Sequence, residues 1–468
     1  MIAKMRLLVA MAAVLFTGCT MIPEYTRPEA PIPGDWPQGP SYGETYATGA
    51  PLAADLQWRQ FFTDAKLQAV IETALKNNRN LRVSALNVER ARALYRIRSA
   101  DLLPAVDATG SGNRQRVPAD ISTTGRSANI EQYSAGLGIS SWEIDFFGRL
   151  RSLEQSALEQ YLATEEARRG AQILLISEVA GVYLALAADQ ENLQLARSTL
   201  QSQRDAYNLI KRRYETGISP ELDLRQVQTR VDTARVDVAR YTEQVARDVN
   251  GLHLLVGSTL PADLLPGTLG TVAPLPDVSP GTSSEVLLRR PDILRAENQL
   301  RAANANIGEA RAAFFPRIGL TTSIGTASSE LSGLFESGSG LWNYGAQVTM
   351  PIFDARIWPA LKASKVDREI AQAEYEQSIQ AAFREVADAL ARKGTIGDQI
   401  EAQQSLVEAT AATYRLSNAR YEKGIDTFLT VLDAQRSFYA AQQVLIATRL
   451  INLANQVRLY AVLGGGAN

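Results

Sequence analysis

The sequence predicts a membrane α+β fold in which several copies of the chain complete one β-barrel, which continues into a tube of long helical hairpins. The first observation is an internal duplication, because Arg213–Ile218 (RYETGI) is echoed by Arg420–Ile425 (RYEKGI), 207 positions later. That offset holds over more than a hundred residues. The second observation is that each copy has two segments with the alternation of β-strands. The third is that each copy has long, proline-poor helical patterns on both sides of a glycine, Gly217 or Gly424.

Composition excludes several classes of function. The 468-residue chain has a net charge of -2, so no basic footprint points to nucleic acid. A single cysteine and a single histidine exclude a disulfide framework and metal sites built from Cys and His. Because no nucleophile–base set, phosphate loop or metal motif occurs, an enzyme is the least favoured interpretation, and the sequence predicts no cofactor.

The N-terminus has the pattern of a secretory signal peptide. Lys4 and Arg6 precede an apolar run, residues 7–16, which is too short to span a bilayer. The run ends just before Cys19, and the stretch resembles a bacterial lipobox. That resemblance implies that Cys19 is acylated, becomes the mature N-terminus and anchors the protein to the membrane. Thr20 follows it, where a lipoprotein retained at the inner membrane would carry Asp.

The first half of the chain follows in order. Residues 19–56 are rich in proline and predict an extended tether. A helical pattern then runs from Trp58 to about residue 101, and Pro104 ends it. Alternation predicts one strand over about 106–111 and, after a loop, a second from about 133 to 146. The alternation slips at Ser140-Ser141, which predicts a β-bulge.

The hairpin helices follow the strands. A helix predicted over about 150–215 would be roughly 100 Å long. The returning helix shows apolar residues at alternating spacings of three and four from Leu224 to Val245, a heptad seam that predicts left-handed coiled-coil packing. The second half repeats this order, with Pro291 at a first-turn position, Pro316 as a helix stop and an uninterrupted last strand.

The domain plan follows from these segments. It comprises a signal peptide (1–18), a lipidated tether (19–56), a first repeat (57–256), a linker (257–284), a second repeat (285–464) and a tail (465–468). Four strands cannot close a barrel, and an open sheet edge is not tolerated in lipid. Other copies must therefore complete the barrel, and at this point two, three or four copies remain open.

Several short motifs recur in one known family. The chain resembles the TolC-type outer-membrane factors, and most of all the efflux lipoproteins of the OprM type, over nearly all of 19–466. The residues that carry the resemblance are Cys19, Trp58, Phe61, Phe62, Asp64, Leu67, Leu75, Asn78, Leu81, Arg290–Ile293, Ala296, Glu297, Phe315-Pro316, both Tyr-Glu-X-Gly tips and Leu432–Arg436. Each is weak alone, but their order, spacing and duplication are specific.

The resemblance implies a homotrimer with a 12-stranded outer-membrane barrel and a periplasmic α-barrel. It also implies docking of a periplasmic adaptor (a membrane fusion protein) and of an inner-membrane RND transporter, which supplies the energy for a passive exit duct. In this family the helix after the second tip lines the periplasmic aperture. At matching positions, Leu429 would form an apolar constriction and Asp433 a ring of carboxylates, with Arg436 or Tyr421 as the group that latches it. Gly217 and Gly424 would form hairpin tips that contact the adaptor.

Three alternatives remain open from the sequence. The same fold serves metal-ion efflux or type I protein secretion in related channels. A thioether relay for soft copper is not visible, because only Met21 and Met350 remain after cleavage at Cys19. A coiled-coil surface protein without a pore is a different class, and the paired strands and the duplication argue against it.

Overall fold

The computed structural model describes residues 20–42 and 50–466 of the chain. The signal peptide predicted for 1–18 and the lipidation site predicted at Cys19 lie outside the described residues. Eight α-helices and four strands make up the described chain. The helices are α1 (Trp58–Phe61), α2 (Ala65–Asn77), α3 (Arg79–Ala100), α4 (Arg149–Glu215), α5 (Glu221–Val256), α6 (Pro291–Ala312), α7 (Ile357–Glu422) and α8 (Phe428–Val462). The strands are β1 (Asp107–Val117), β2 (Ala128–Ile144), β3 (Arg317–Ser328) and β4 (Gly340–Thr349). Short 3-10 turns occupy Ala53–Asp55, Ala262–Leu264, Leu269–Thr271, Ser284–Arg289 and Leu331–Gly333.

The single helix predicted from Trp58 to about residue 101 is wrong, because the segment folds as α1, α2 and α3. Asp64 caps α2 by accepting the Leu67 amide at 2.9 Å. Asn78 caps α3 by accepting the Leu81 amide at 2.8 Å, and its own amide donates to the carbonyl of Leu255 at 2.7 Å. Capping by Asp64 and Asn78 therefore divides this segment into separate helices, and at Asn78 a distant part of the chain supplies a further hydrogen-bond partner.

The long helices have the predicted lengths, with 67 residues in α4 and 66 in α7. Pro291 is the first residue of α6, where its missing N–H costs no helical hydrogen bond. α4 is also long and apolar enough to cross a membrane by length and composition, but 56% of its most apolar window is buried within the chain. Val179, Tyr183 and Leu186 of that helix are fully buried. We therefore interpret this apolar stretch as core packing.

The strands form one antiparallel sheet in the order β1-β2-β3-β4. The predicted bulge is confirmed, because the register of β2 against β3 shifts between Ile139 and Trp142. β1 extends to Val117, beyond the strand predicted over about 106–111. Residues 112–117 were predicted as the start of a loop, yet they pair with β2.

The described chain divides into two compact units. The first contains the sheet and comprises residues 20–29, Asn87–Thr164 and Arg295–Tyr375. The second contains the hairpin tips and comprises residues 30–42, 50–86, Glu165–Leu294 and 376–466. Each unit takes segments from both sequence repeats. In the core of the second unit, the ring of Phe61 stacks on that of Tyr460 with 4.0 Å between centroids, and the Tyr460 hydroxyl donates to the carbonyl of Leu56.

Candidate functional site

The sheet has one largely apolar and one largely polar face. Residues directly opposite each other in an antiparallel pair have their side chains on the same face. The register places Leu137 opposite Ile324, which in turn lies opposite Trp342. The same face carries Ile139, Trp142, Ile144, Ile318, Leu320, Tyr344, Ala346 and Val348. The other face carries Thr109, Ser111, Asn113, Gln132, Ser134, Arg317, Thr321, Ser323, Asn343, Gln347 and Thr349. Such a sheet suits a wall between lipid and water.

Aromatic side chains lie on the apolar face toward the end of the sheet where loops 118–127 and 329–339 connect the strands. Trp342 and Tyr344 are exposed, and their rings stack with 6.0 Å between centroids. Tyr133 shares this face, because it lies opposite Gly112 on β1 and Ser328 on β3. Aromatic rings near one end of an apolar sheet face are typical of a membrane–water interface.

Both glycine tips have the same backbone conformation. Gly217 has a φ of 75° and Gly424 a φ of 73°, the left-handed region that glycine adopts without strain. At the first tip, the amide of Ile218 donates to the carbonyl of Arg213, and the amide of Gly217 to that of Tyr214. The second tip repeats both bonds at Ile425 and Gly424. These are Schellman motifs, so the sequence repeat corresponds to a repeat of structure.

The two tips differ in how their arginines are used. In the second tip, Arg420 binds Asp426 of the same tip through two hydrogen bonds, at 2.6 and 3.0 Å. In the first tip, Arg213 corresponds to Arg420, but Ser219 stands where Asp426 would be. Arg213 instead reaches the other tip, where it donates to the Tyr421 hydroxyl at 3.1 Å. Its guanidinium carbon also lies 5.4 Å from the centroid of the Tyr421 ring.

Sequence reasoning missed Arg213 as a functional candidate. The signal that identifies it is the difference between the repeats, since Ser219 leaves this arginine without the carboxylate that Arg420 has. Burial raises the pKa of the Tyr421 phenol, and the positive charge of Arg213 opposes that rise. The phenol is therefore neutral at physiological pH and accepts the hydrogen bond from a full positive charge.

An apolar cluster joins the helices beside the tips. Its buried members are Ile210, Val227, Phe428, Val431 and Leu432, and Ala206, Tyr207, Leu224, Tyr414 and Tyr421 pack against it. The members come from α4, α5, α7 and α8, so both hairpins of one chain are packed together here. Tyr421 belongs to this cluster and also bonds Arg213, which connects the polar contact between the tips to the apolar packing.

The predicted gate residues divide into two groups. Leu429 and Asp433 lie one helical turn apart on α8, and both side chains are exposed. Arg436 lies on the same helix with its guanidinium 3.4 Å from the Asp433 carboxylate. Tyr421 makes the separate contact with Arg213 described above. The structure therefore brings Asp433 and Arg436 together as a surface pair within one chain, and it assigns Tyr421 to the contact between the tips.

A pair of carboxyl groups lies between α4 and α5. Burial, together with the hydrogen bond and the repulsion between Asp189 and Asp248, raises the pKa of Asp189 to about 6. The amide of Gln244 donates to Asp248 at 3.1 Å. Two carboxyl groups in contact share a proton when one of them is protonated. No spacing in the sequence indicates this pair, because its members belong to different helices of one hairpin.

The N-terminal segment 20–29, the strap, is fastened to α6. The carboxylate of Glu297 is 4% exposed and forms ion pairs with Arg27 of the strap and with Arg301 of its own helix. The hydroxyl of Tyr25 also donates to Glu297, at 3.4 Å, and Arg27 donates to the Tyr375 hydroxyl at 3.2 Å. These contacts hold the residues that directly follow the predicted lipidation site Cys19.

Backbone contacts continue the attachment of the strap. The amide of Asn304 donates to the carbonyl of Pro23 at 2.8 Å, and Arg311 donates to that of Met21 at 3.2 Å. Gly308 lies under the strap, and a Cβ atom there would fall 2.9 Å from the backbone nitrogen of Ile22. The tether predicted from its prolines therefore begins as an ordered segment with specific partners.

Comparison with known proteins identifies the chain's relatives. The family model described as "Outer membrane efflux protein" matches residues 70–258 and 282–465, which lie mainly in the two predicted repeats, with a gap inside the predicted linker. Two curated Pseudomonas putida proteins are each 49% identical over 464 residues, which is 99% of this chain and 96% of theirs. They are the antibiotic efflux pump outer membrane protein ArpC and the toluene efflux pump outer membrane protein TtgC.

A solved structure shows that the fold is shared. The open-state MtrE outer membrane channel of Neisseria gonorrhoeae matches with a TM-score of 0.85 and 35% sequence identity. The match covers 96% of this chain and 99% of that one. The antiparallel sheet and the long helices described above are therefore the fold of an outer membrane channel.

Proposed function

The chain belongs to the outer membrane efflux protein family, and from this premise we propose that three copies form the exit duct of a tripartite efflux system. The strands of three chains form a 12-stranded barrel, and the helical hairpins continue it through the periplasm. The duct is passive. A periplasmic adaptor and an inner-membrane RND transporter deliver the cargo and supply the energy.

The observation that carries this proposal is the sheet with two unlike faces and two open edges. Its apolar face suits lipid and its polar face a water-filled lumen, while β1 and β4 each have one edge without a partner strand in the described chain. Unpaired backbone groups are not tolerated within a bilayer, so copies of the chain must pair β4 with β1 of the next. Three sets of four strands make a barrel of a size common among outer-membrane proteins.

The helices support assembly from several copies. α3 has no buried residue within the single chain, although Val83, Leu86, Leu94 and Ile97 on it are large and apolar. Trp358, Val366 and Ile370 of α7 are also exposed. Exposed apolar side chains along a helix favour burial against another subunit. Neighbouring copies of the chain would cover these helices.

The tips form the gate in this proposal. The contact of Arg213 with Tyr421 and the apolar cluster beside it hold the two hairpins of one chain together in the closed state. Leu429 and Asp433, exposed on one side of α8, face the axis and form the apolar and the acidic ring. Arg436 partly neutralises each carboxylate of that ring. The tips around Gly217 and Gly424 contact the adaptor.

The N-terminus supplies the membrane anchor. Acyl chains on Cys19 insert into the outer membrane, and the strap that follows transfers that attachment to α6 through Glu297. We propose small organic solutes as the cargo, since relatives that are 49% identical are named for toluene and for antibiotic efflux.

The test is deletion of the gene, followed by complementation with the intact chain. We expect the deletion strain to become sensitive to toluene and to hydrophobic antibiotics, and the intact gene to restore growth. Sensitivity confined to metal salts would contradict organic cargo, and so would a loss of protein secretion alone. Native mass spectrometry of the purified protein is expected to give three copies, and planar bilayers are expected to show a mostly closed, cation-favouring pore.

A further inference from the structure

Two arginines stand on the apolar face of β1, at its loop end. Alternate residues of a strand share a face, so Gly112, Arg114 and Arg116 lie on one side. Gly112 is opposite Tyr133, and Arg114 is opposite Glu131. Because Tyr133 shares its face with Leu137 and Ile324, the two arginines point to the side of the sheet that faces lipid.

These arginines mark the end of the apolar layer on that face. Arginine on the lipid face costs roughly 2–4 kcal/mol at the bilayer midplane and close to nothing at the interface. On β3, the same face runs from Ile318 to Ser328, about 33 Å along the strand and about 25 Å across the membrane at a tilt of about 40°. That matches the height of an apolar band, and Ser328 at its end pairs with Tyr133. Arg114 and Arg116 lie two and four residues farther toward the loops than Gly112, the partner of Tyr133 on β1, and so at the headgroup end of this band.

Part of this positive charge is not neutralised by the protein. Arg114 pairs with Glu131 at 3.0 Å, whereas Arg116 lies opposite the neutral Asn129. Within the described ranges, Arg116 and the exposed Arg126 of loop 118–127 form no ion pair. The nearby carboxylates that remain are Asp120 in the same loop and Glu330 and Glu336 in the loop across β2 and β3.

We propose that Arg114, Arg116 and Arg126 form a binding surface for the phosphate groups of outer-leaflet lipid. Guanidinium groups bind phosphate through paired hydrogen bonds, and basic clusters at the membrane surface attract anionic lipid. The inference rests on the proposed function. Each strand connects to a loop at one end and toward a helix at the other, so if the helices lie in the periplasm, the loops lie at the outer surface. The surface holds the barrel at a fixed depth in a phosphorylated leaflet.

Lipid binding tests this directly. The purified trimer in uncharged detergent is titrated with lipopolysaccharide, and bound lipid is counted by native mass spectrometry. For the variant R114Q/R116Q, the loss of two surface charges is expected to weaken binding by about thirtyfold. Lipopolysaccharide from which phosphatase has removed the phosphates is expected to bind the unmodified protein as weakly as the intact lipid binds the variant. Equal lipid affinity of the variant and the unmodified protein would overturn the proposal. Equal affinity of the unmodified protein for intact and dephosphorylated lipopolysaccharide would also overturn it.

Two further variants separate charge from fold. Arg317→Gln removes an arginine from the polar face and is expected to leave lipid affinity unchanged. If the double variant does not assemble, Arg116→Gln alone tests whether the surface binds lipid. Arg116 forms no ion pair in the described part of the chain, so this substitution breaks none. Its affinity is expected to fall about fivefold. The bilayer conductance of each variant is measured in parallel. A conducting variant with unchanged lipid affinity contradicts this surface alone, whereas the absence of any pore from the unmodified protein contradicts the proposed function.

Discussion

Replacing Tyr421 by Phe is expected to open the tips while leaving the apolar cluster packed. The change removes only the hydroxyl that accepts the hydrogen bond from Arg213 at 3.1 Å and keeps the ring that packs against Phe428. A hydrogen bond to a charged group contributes about 1.5–3 kcal/mol, and partial exposure reduces this to about 1 kcal/mol. Three copies opening together lose about 3 kcal/mol, which raises the ratio of open to closed channels by about a hundredfold.

The assay is single-channel recording in planar bilayers, which gives the open-to-closed ratio directly. The matched control is Arg420→Ala, the equivalent arginine of the second tip, whose partner Asp426 lies within its own tip. It removes an exposed ion pair that does not connect the two tips, so the gating ratio is expected to change little. An unchanged ratio in Tyr421→Phe, or an equal change in Arg420→Ala, would refute the assignment of Arg213 and Tyr421 to the closed state.

Three further predictions concern separate parts of the chain. Asp433→Ala is expected to raise conductance and lower the preference for cations, measured as the current and the reversal potential in bilayers, and unchanged values would exclude Asp433 from the constriction. The pKa of Asp189, about 6, lies above its ordinary value of 3.8, so its stabilising contribution is full below about pH 4 and is lost as pH rises through about 6. Asp189→Asn is therefore expected to unfold at a higher temperature than the unmodified protein at pH 7.5, with the difference shrinking toward pH 4; a difference independent of pH would contradict the shared proton. Glu297→Gln is expected to loosen the strap and to speed chymotryptic cleavage after Tyr25 by about tenfold or more, whereas Glu29→Gln, at an exposed strap residue, leaves the rate unchanged.

Regular helical segments could be predicted closely from the sequence, because their periodicity is a property of the local chain. The heptad seam of α5 and the uninterrupted pattern of α4 indicated both elements, and the observed bounds of α4 agree with those expected. The alternation slip at Ser140-Ser141 likewise located the bulge, since side-chain direction in a strand depends only on counting residues.

Features that depend on distant partners could not be predicted in this way. The cap at Asn78 needs the carbonyl of Leu255, 177 residues away, and the strap needs Glu297, 270 residues from Arg27. The polar half of β1 resembled a loop, because one of its faces is polar and the other carries Gly112, Arg114 and Arg116 at the end of the apolar face, so no apolar alternation remains. The lipidation at Cys19 and the gate formed by Leu429 and Asp433 remain predictions.

Ser219 has a consequence for the symmetry of the assembled ring. Three chains with two tips each would close as a pseudo-sixfold ring if both tips used their arginine in the same way. An aspartate at position 219 would restore that equivalence, since Arg213 could then bind its own tip as Arg420 does. With serine there, Arg213 joins the two tips of one chain, so in the proposed trimer the six tips would associate as three pairs and the weaker junctions would lie between chains. The ring would then keep the threefold symmetry of the trimer without the sixfold pseudosymmetry that equivalent tips would allow.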